Sequence, residues 1–223
     1  MKKKCNIVHI IEDDDDLAKA IQTLLIEEQF KCHHYKTAED FLGELSSANE
    51  AMQCQLNSST PNCLLIDVRL PKTSGLSLFQ ELIEKPGRKL SPIIFLTGHG
   101  DLQMAVDSLK KGAFDFLTKP YKVEELLSTI KSAMRESEFR IEQQIFVSNL
   151  ESKIENLTTR EKELVEPIAS GLSNKDIAEK FQNSIRTIEL HRARVFEKLN
   201  LVSAVELATI MERFNALKSD LND

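Results

Sequence analysis

Leu64-Leu65-Ile66-Asp67-Val68-Arg69-Leu70-Pro71 is the stretch on which the fold turns. Three aliphatic residues run into an aspartate with no polar alternation, and a proline follows four residues later. Such a run reads as a strand buried on both faces, as in a parallel sheet. Asp67 then stands at the carboxyl end of that strand, where open α/β sheets bind their ligands. Taken alone, the aspartate reads more readily as a cap for the next helix. Its neighbours in the sheet decide between the two.

Working outward, Ile7-Val8-His9-Ile10-Ile11 is a β-branched run that predicts a first strand, closed by Glu12-Asp13-Asp14-Asp15-Asp16. Leu17, Ala20, Ile21, Leu24 and Leu25 follow at helical spacing. Cys32–Tyr35 is a weak second strand, and Thr37 with Asp40 marks the start of a second helix. Residues 46–62 read as a helix end and a polar loop. Beyond Asp67 come a turn at 71–75, a helix over Leu76–Glu84 and a stop at Pro86-Gly87. Pro92–Leu96 is a fourth strand ending in Thr97-Gly98-His99-Gly100, and Asp101–Lys111 is a helix with Gly112 as its C-cap. Phe114–Leu117 is a fifth strand ending in Thr118-Lys119-Pro120, and a fifth helix starts near Val123. This alternation predicts a doubly wound, five-stranded parallel α/β sheet over about 120 residues.

The fifth helix has no stop. Leu126 to Leu157 contains neither Pro nor Gly, with apolar residues at Ile130, Met134, Ile141, Ile145, Leu150, Ile154 and Leu157. The heptad match is imperfect, so a plain helical linker and a coiled-coil segment that pairs subunits both fit. From Thr158 the pattern changes to short helices: 159–170, 174–181, 185–199 and 203–214, with a polar, fraying tail. Pro167 falls inside the first of them, where it should kink the helix or delay its start.

The 223 residues suit two ordinary domains, and 41% hydrophobic with 29% charged residues is ordinary for a globular chain. A net charge of -6 argues against a uniformly basic coat but allows a local basic patch. Cys5, Cys32, Cys54 and Cys63 form no C-x-x-C pair, which disfavours a zinc site or disulfide framework and fits free thiols in a reducing cytoplasm. Lys2-Lys3-Lys4 precedes an apolar run too short for a signal segment, and no run approaches the roughly 18 residues of a membrane span.

The predicted strand ends carry Glu12 and Asp13, Asp67, Thr97 and Lys119. Clustered carboxylates need a cation, and a hard divalent ion such as magnesium suits oxygen ligands. A lysine opposite, with a threonine hydroxyl, can hold a phosphoryl group, and a carboxylate in that setting can become an aspartyl-phosphate. Asp15 and Asp16 read as solvated acids favouring the helix N-terminus.

These strand ends (His9-Ile10-Ile11-Glu12-Asp13-Asp14, Leu65–Pro71, Leu96–Asp101 and Asp115-Phe116-Leu117-Thr118-Lys119-Pro120) resemble the receiver domain of two-component response regulators, the last two most of all the FixJ group. The resemblance covers about 7–125 and implies a flavodoxin-like fold. It implies Asp67 as phosphoacceptor and Mg2+ held by Glu12, Asp13, Asp67 and the Arg69 backbone carbonyl. It further implies Thr97 and Lys119 on the phosphoryl oxygens, Thr97 and Phe116 as switch residues, Gly98 leaving room for the phosphoryl group, and a cis Lys119-Pro120 bond.

In the tail, two short helices flank Gln182-Asn183-Ser184, as in a helix-turn-helix. Basic charge gathers on the second helix and its approach: Lys180, Arg186, Arg192, Arg194 and Lys198 against Glu189 and Glu197. Leu157–Glu161, Gly171–Ala178 and Arg186–Arg192 resemble the LuxR/FixJ-type DNA-binding domain over about 157–212. This implies that helix 185–199 enters the major groove. Glu189, Leu190 and Ala193 would face base edges, while Arg186, Thr187, Arg192, Arg194 and Lys198 would reach phosphates.

The reading is therefore a receiver over 1–125, a helical linker over 126–157 and a DNA-binding domain over 158–223. The implied partners are a sensor histidine kinase, double-stranded promoter DNA, a second copy on phosphorylation and RNA polymerase, in the cytoplasm and away from membranes. An enzyme working through an aspartyl-phosphate would want a second carboxylate two residues after the nucleophile, where this chain has Arg69. A DNA-binding regulator that dimerises through the linker without phosphate is the other alternative.

Overall fold

The computed structural model describes residues 6–46, 60–84, 91–98 and 102–222. The expected helix stop at Pro86-Gly87, most of the loop after residue 46, the His99-Gly100 turn, Cys5 and Cys54 lie outside the described residues. The chain separates into two compact units, dividing between Ile141 and Glu142.

The first unit alternates strands and helices: β1 (Ile7–Ile11), α1 (Asp15–Glu27), β2 (Lys31–Tyr35), α2 (Ala38–Ser46), β3 (Asn62–Asp67), α3 (Gly75–Ile83), β4 (Ile93–Thr97), α4 (Leu102–Lys110), β5 (Asp115–Thr118) and the start of α5 (Val123–Glu155). The strands form one sheet in the order β2-β1-β3-β4-β5, and every pairing is parallel. Side chains alternate between the faces of a strand, so an unbroken apolar run feeds two cores. Leu64 and Ile66 pack with Phe41, Leu78, Phe79 and Phe95 under α2 and α3. Cys63 and Leu65 pack with Ile21, Leu25, Leu126 and Ile130 under α1 and α5.

Local chemistry sets the helix starts. Asp14 caps α1, accepting from the Asp16 and Leu17 N–H groups, and Asp15 and Asp16 lie in its first turn. The Thr37 hydroxyl accepts from Asp40 N–H at 3.1 Å, as the T-x-x-D pattern predicts. Ser74 caps α3, and Gly112 leaves α4 with φ +99°. Two details differ from expectation. α1 buries Ala18 with Ile21 and Leu25 and leaves Ala20 exposed, because residues three and four apart share a helix face whereas adjacent ones diverge by about 100°. β3 begins at the polar Asn62, which is fully buried. Its N–H donates to Ser137 Oγ on α5 at 3.1 Å and its side chain to the Thr60 carbonyl.

α5 is one helix of 33 residues. Leu126, Ile130, Ala133 and Met134 complete the core of the first unit. Val147, Leu150 and, just past its end, Leu157 belong to the core of the second. The irregular apolar spacing thus serves two intramolecular cores, while Phe139 and Ile145 stay exposed. Among the described residues, no helix is long and apolar enough to cross a membrane.

The second unit holds α6 (Thr159–Ala169), α7 (Asn174–Phe181), α8 (Ile185–Leu199) and α9 (Ala204–Asn222). α6 starts on a full capping box between Thr158 and Glu161 and continues past Pro167 to Ala169, so the proline does not delay it. Pro167 has no N–H to give the Glu163 carbonyl, and the helix ends two residues later, at Ala169. α9 outruns the expected end at Phe214 and reaches Asn222. Phe214 is buried, Leu217 packs against the same core, and Lys218 pairs with Glu151 at 2.8 Å. These contacts extend a helix whose sequence looked like a polar tail.

Glu161 is a buried carboxylate that accepts from Thr158 N–H at 2.8 Å and from Lys198 Nζ at 2.6 Å. The bond from Lys198, then the Thr158 N–H, hold its carboxyl down to about 2 from the usual 4.5. A depressed carboxyl contributes stability that is complete above its unfolded value and fades as pH falls through its folded one. The thermal stability of the helical unit should therefore fall between about pH 4.5 and pH 2, and Glu161→Gln should remove that portion of the pH dependence. Identical acid melting curves for the two proteins, followed by circular dichroism, would contradict this.

Candidate functional site

The sheet changes winding direction beside β1 and β3, and the acidic residues collect at that crevice. Glu12 and Asp13 follow β1, and Asp67 ends β3. Each can place one carboxylate oxygen within 4.8 Å of the others. Glu12 and Asp67 are buried, whereas Asp13 is exposed. Lys119, just past β5, reaches across to both buried carboxylates, at 2.8 Å from Glu12 Oε2 and 2.5 Å from Asp67 Oδ2. The Arg69 N–H donates to Asp67 Oδ1 at 2.8 Å, which fixes the remaining oxygen and orients the loop after β3.

Electrostatics show a pocket short of positive charge. Burial pushes the Glu12 carboxyl up to about 7; the nearby Asp67 charge adds to this and the bond from Lys119 opposes it. Burial works to lower Lys119, but its bonds to Asp67 and Glu12 outweigh that and hold its ammonium above the ordinary lysine value. One lysine does not neutralise three carboxylates. A hard divalent cation with oxygen ligands fits both the donor set and the charge deficit.

Thr97 ends β4, is fully buried and donates its hydroxyl to the Gly98 carbonyl at 3.0 Å. Its own carbonyl accepts from Lys119 N–H at 2.7 Å, tying the β4 and β5 ends together. Phe116 on β5 pairs with Phe95 and is half-buried against the α2/α3 core. The Lys119-Pro120 bond is cis. Glu12, Asp13, Asp67 and Lys119 thus share one pocket, the Arg69 N–H and the Thr97 carbonyl bond to its members, and Phe116 packs into the α2/α3 core instead.

Gly75 is part of this site in a way that sequence reading missed. A Cβ at Gly75 would lie 2.1 Å from the Asp67 carbonyl oxygen. The first residue of α3 therefore packs directly on the Asp67 backbone, and its N–H donates to the Val68 carbonyl at 3.1 Å. Its place after the helix cap Ser74 was the one available signal.

In the second unit, α7 ends on Gln182 at φ 53° and Ser184 caps α8, giving the expected tight turn. Ile188, Val195 and Leu199 are buried. Arg186, Glu189, Leu190, Ala193 and Arg194 are exposed, and Leu190 keeps 52% of its surface open. Thr187 is half-buried with its hydroxyl at 2.8 Å from Ser184 Oγ. Arg192 is half-buried, bonds Asn174 Oδ1 at 3.2 Å and lies over the Phe196 ring. Lys198 is held by Glu161 and by the Asn156 carbonyl at 3.3 Å.

Gly75→Ala should destabilise the first unit by about 1–3 kcal/mol, the usual cost of forcing a methyl group into a filled site. Urea denaturation of the full chain would measure it, and an unchanged midpoint would refute the close contact.

Residues 8–131 match the response regulator receiver domain family, and residues 155–211 match the luxR family of bacterial regulatory proteins. The chain is 32% identical over 213 residues to the response regulator protein TodT of Pseudomonas putida, covering 96% of this chain and 88% of that one. It is 31% identical over 210 residues to the transcriptional regulatory protein FixJ of Bradyrhizobium diazoefficiens, covering 94% and 96%. The solved structure of the response regulator StyR aligns with a TM-score of 0.76 at 29% identity, covering 94% of this chain and 99% of that one. With both families matched in order along one chain, and full-length relatives aligned nearly end to end, this protein belongs to the two-component response regulators that join a receiver domain to a LuxR-type DNA-binding domain, a family of transcriptional regulators and not of enzymes.

Proposed function

We propose that Asp67 is the phosphoacceptor, and that its phosphorylation by a sensor histidine kinase governs binding of promoter DNA by a dimer of this chain in the cytoplasm. The observation that carries this reading is the Lys119 ammonium held between Asp67 and Glu12, at the rim of a three-carboxylate pocket. In the transfer, an Asp67 carboxylate oxygen attacks phosphorus, a P–O bond forms, and the phosphorus–nitrogen bond to the donor histidine breaks. Asp67 gives up no proton. Lys119 is placed to accompany the new phosphoryl oxygens, and Glu12, Asp13, Asp67 and the Arg69 carbonyl would hold Mg2+. Magnesium, when bound, supplies the positive charge that phosphoryl transfer needs.

The phosphoryl group adds charge and acceptor oxygens at the end of β3. Those oxygens compete with the Gly98 carbonyl for the Thr97 hydroxyl. Movement of Thr97 opens space beside Phe116, and the α4–β5 face is altered. In this reading the receiver spans 1–125, the connecting helix 126–157 and the DNA-binding domain 158–223.

For DNA, α8 is the groove-entering helix. Glu189, Leu190 and Ala193 are offered to base edges: a carboxylate can accept from a cytosine amino group, and Leu190 and Ala193 can meet a thymine methyl. Arg186, Thr187 and Arg194 are offered to phosphates. Arg192 and Lys198 we assign first to holding α8 in place, given their bonds to Asn174 and Glu161. Two such helices would address half-sites about one DNA turn apart, and RNA polymerase would meet the protein there.

Incubation with Mg2+ and acetyl phosphate should add one phosphoryl group by mass and shift the sedimentation of the full chain toward a dimer. Asp67→Asn should gain no mass while keeping its melting temperature, and uptake at the wild-type level by that variant would sink the assignment. Arg194→Ala should weaken DNA binding across sequences and reduce the salt-dependence slope by about 1 per subunit, hence about 2 for the dimer. An unchanged slope would remove Arg194 from the phosphate contacts.

A further inference from the structure

We infer that His34 is a positioning residue for the cation pocket, holding the Glu12–Asp13 peptide through a hydrogen bond to the Glu12 carbonyl. The inference rests on the reading that Glu12, Asp13 and Asp67 hold a divalent cation.

The argument begins where the sheet stops. The β1–β2 ladder closes with Ile11 opposite Tyr35, and Glu12 N–H donates to the Tyr35 carbonyl at 3.0 Å. Two residues later the chain is already at Thr37, which caps α2. The ladder therefore offers the Glu12 carbonyl no further strand donor. His34 takes that place, with its Nε2 at 2.8 Å from the Glu12 carbonyl oxygen. A carbonyl only accepts, so this nitrogen carries the proton and donates.

That carbonyl belongs to the peptide unit joining two of the three pocket carboxylates. A peptide is planar, so holding its oxygen restrains the plane that carries both α-carbons from which the Glu12 and Asp13 side chains depart. Glu12 is also held at its side chain by Lys119. Asp13 is exposed, and its backbone is the main constraint on where its carboxylate lies. The end of β2 makes a second tie to the same turn, from Lys36 Nζ to Asp15 Oδ2 at 2.6 Å. That pair is exposed and lies beyond the pocket, whereas His34 is half-buried and acts on the ligand-bearing peptide itself. Loss of an outer partner that orients a ligand typically weakens metal binding by about 10- to 100-fold.

The test is calorimetric titration of the full chain with MgCl2 alone, with melting temperatures in parallel. His34→Phe keeps a ring and loses the donor, His34→Leu loses both, and His34→Gln restores an N–H donor of similar reach. The two donor-less variants should bind Mg2+ about 10-fold or more weakly, and His34→Gln should recover most of the loss. A role confined to strand-end stability would instead lower the metal-free melting temperature and leave the Mg2+ affinity of the folded protein unchanged. Wild-type Mg2+ affinity in either folded donor-less variant overturns the positioning role while the cation pocket stands. Absence of Mg2+ binding by the wild-type chain overturns both.

Discussion

Lys119 bridges Glu12 and Asp67, and most of the receiver's architecture can be read as the means of making that bridge. The three residues sit at the ends of β5, β1 and β3, with β4 lying between β3 and β5 in the sheet. A buried carboxylate without a partner is costly, and two of them close together are worse. The lysine relieves part of that cost. The rest appears as the raised carboxyl of Glu12, the signature of a pocket that a divalent cation would complete. Registers, strand ends and the Thr97 carbonyl bond to Lys119 all serve to hold one ammonium at this spot.

Close backbone approach is the second constraint on the pocket. Asp67 must end a strand buried on both faces and yet present its carboxylate at the rim. The Arg69 N–H holds one oxygen of that carboxylate, and the bare α-carbon of Gly75 lets α3 pack on the Asp67 backbone. Thr73 adds a side-chain tie from the same loop to Glu39 on α2 at 2.6 Å. The loop that follows Asp67 is therefore anchored at several points, which suits the proposed chemistry, since phosphoryl transfer depends on positioning.

In the helical unit, the basic residues of α8 divide their work. Lys198 and Arg192 are tied to Glu161 and Asn174, which fastens α8 to the starts of α6 and α7. Arg186 and Arg194 remain outward on either side of an exposed leucine. Charge count alone does not separate these tasks, because a lysine that completes a capping box and one that faces solvent look alike in a list of residues.

The amino-acid sequence by itself determined the elements, their order and the residues of the acidic pocket. Those features rest on local signals: β-branched runs make strands, Ser, Thr and Asp mark helix starts, and polar groups at the ends of parallel strands converge because parallel strands all end on one side. The tertiary structure alone decided the pairings between distant residues. Asn62 lies in a buried strand because Ser137, 75 residues on, meets its N–H. His34 serves Glu12 from 22 residues away, and α9 runs on to Asn222 because Phe214, Leu217 and Lys218 find partners in the core and on α5. The apolar stripe of α5 follows no single repeat, since its two halves pack into different cores. A local pattern states what a segment can form, and long-range packing supplies the partner that settles which polar group is satisfied by the protein and which is left for a ligand.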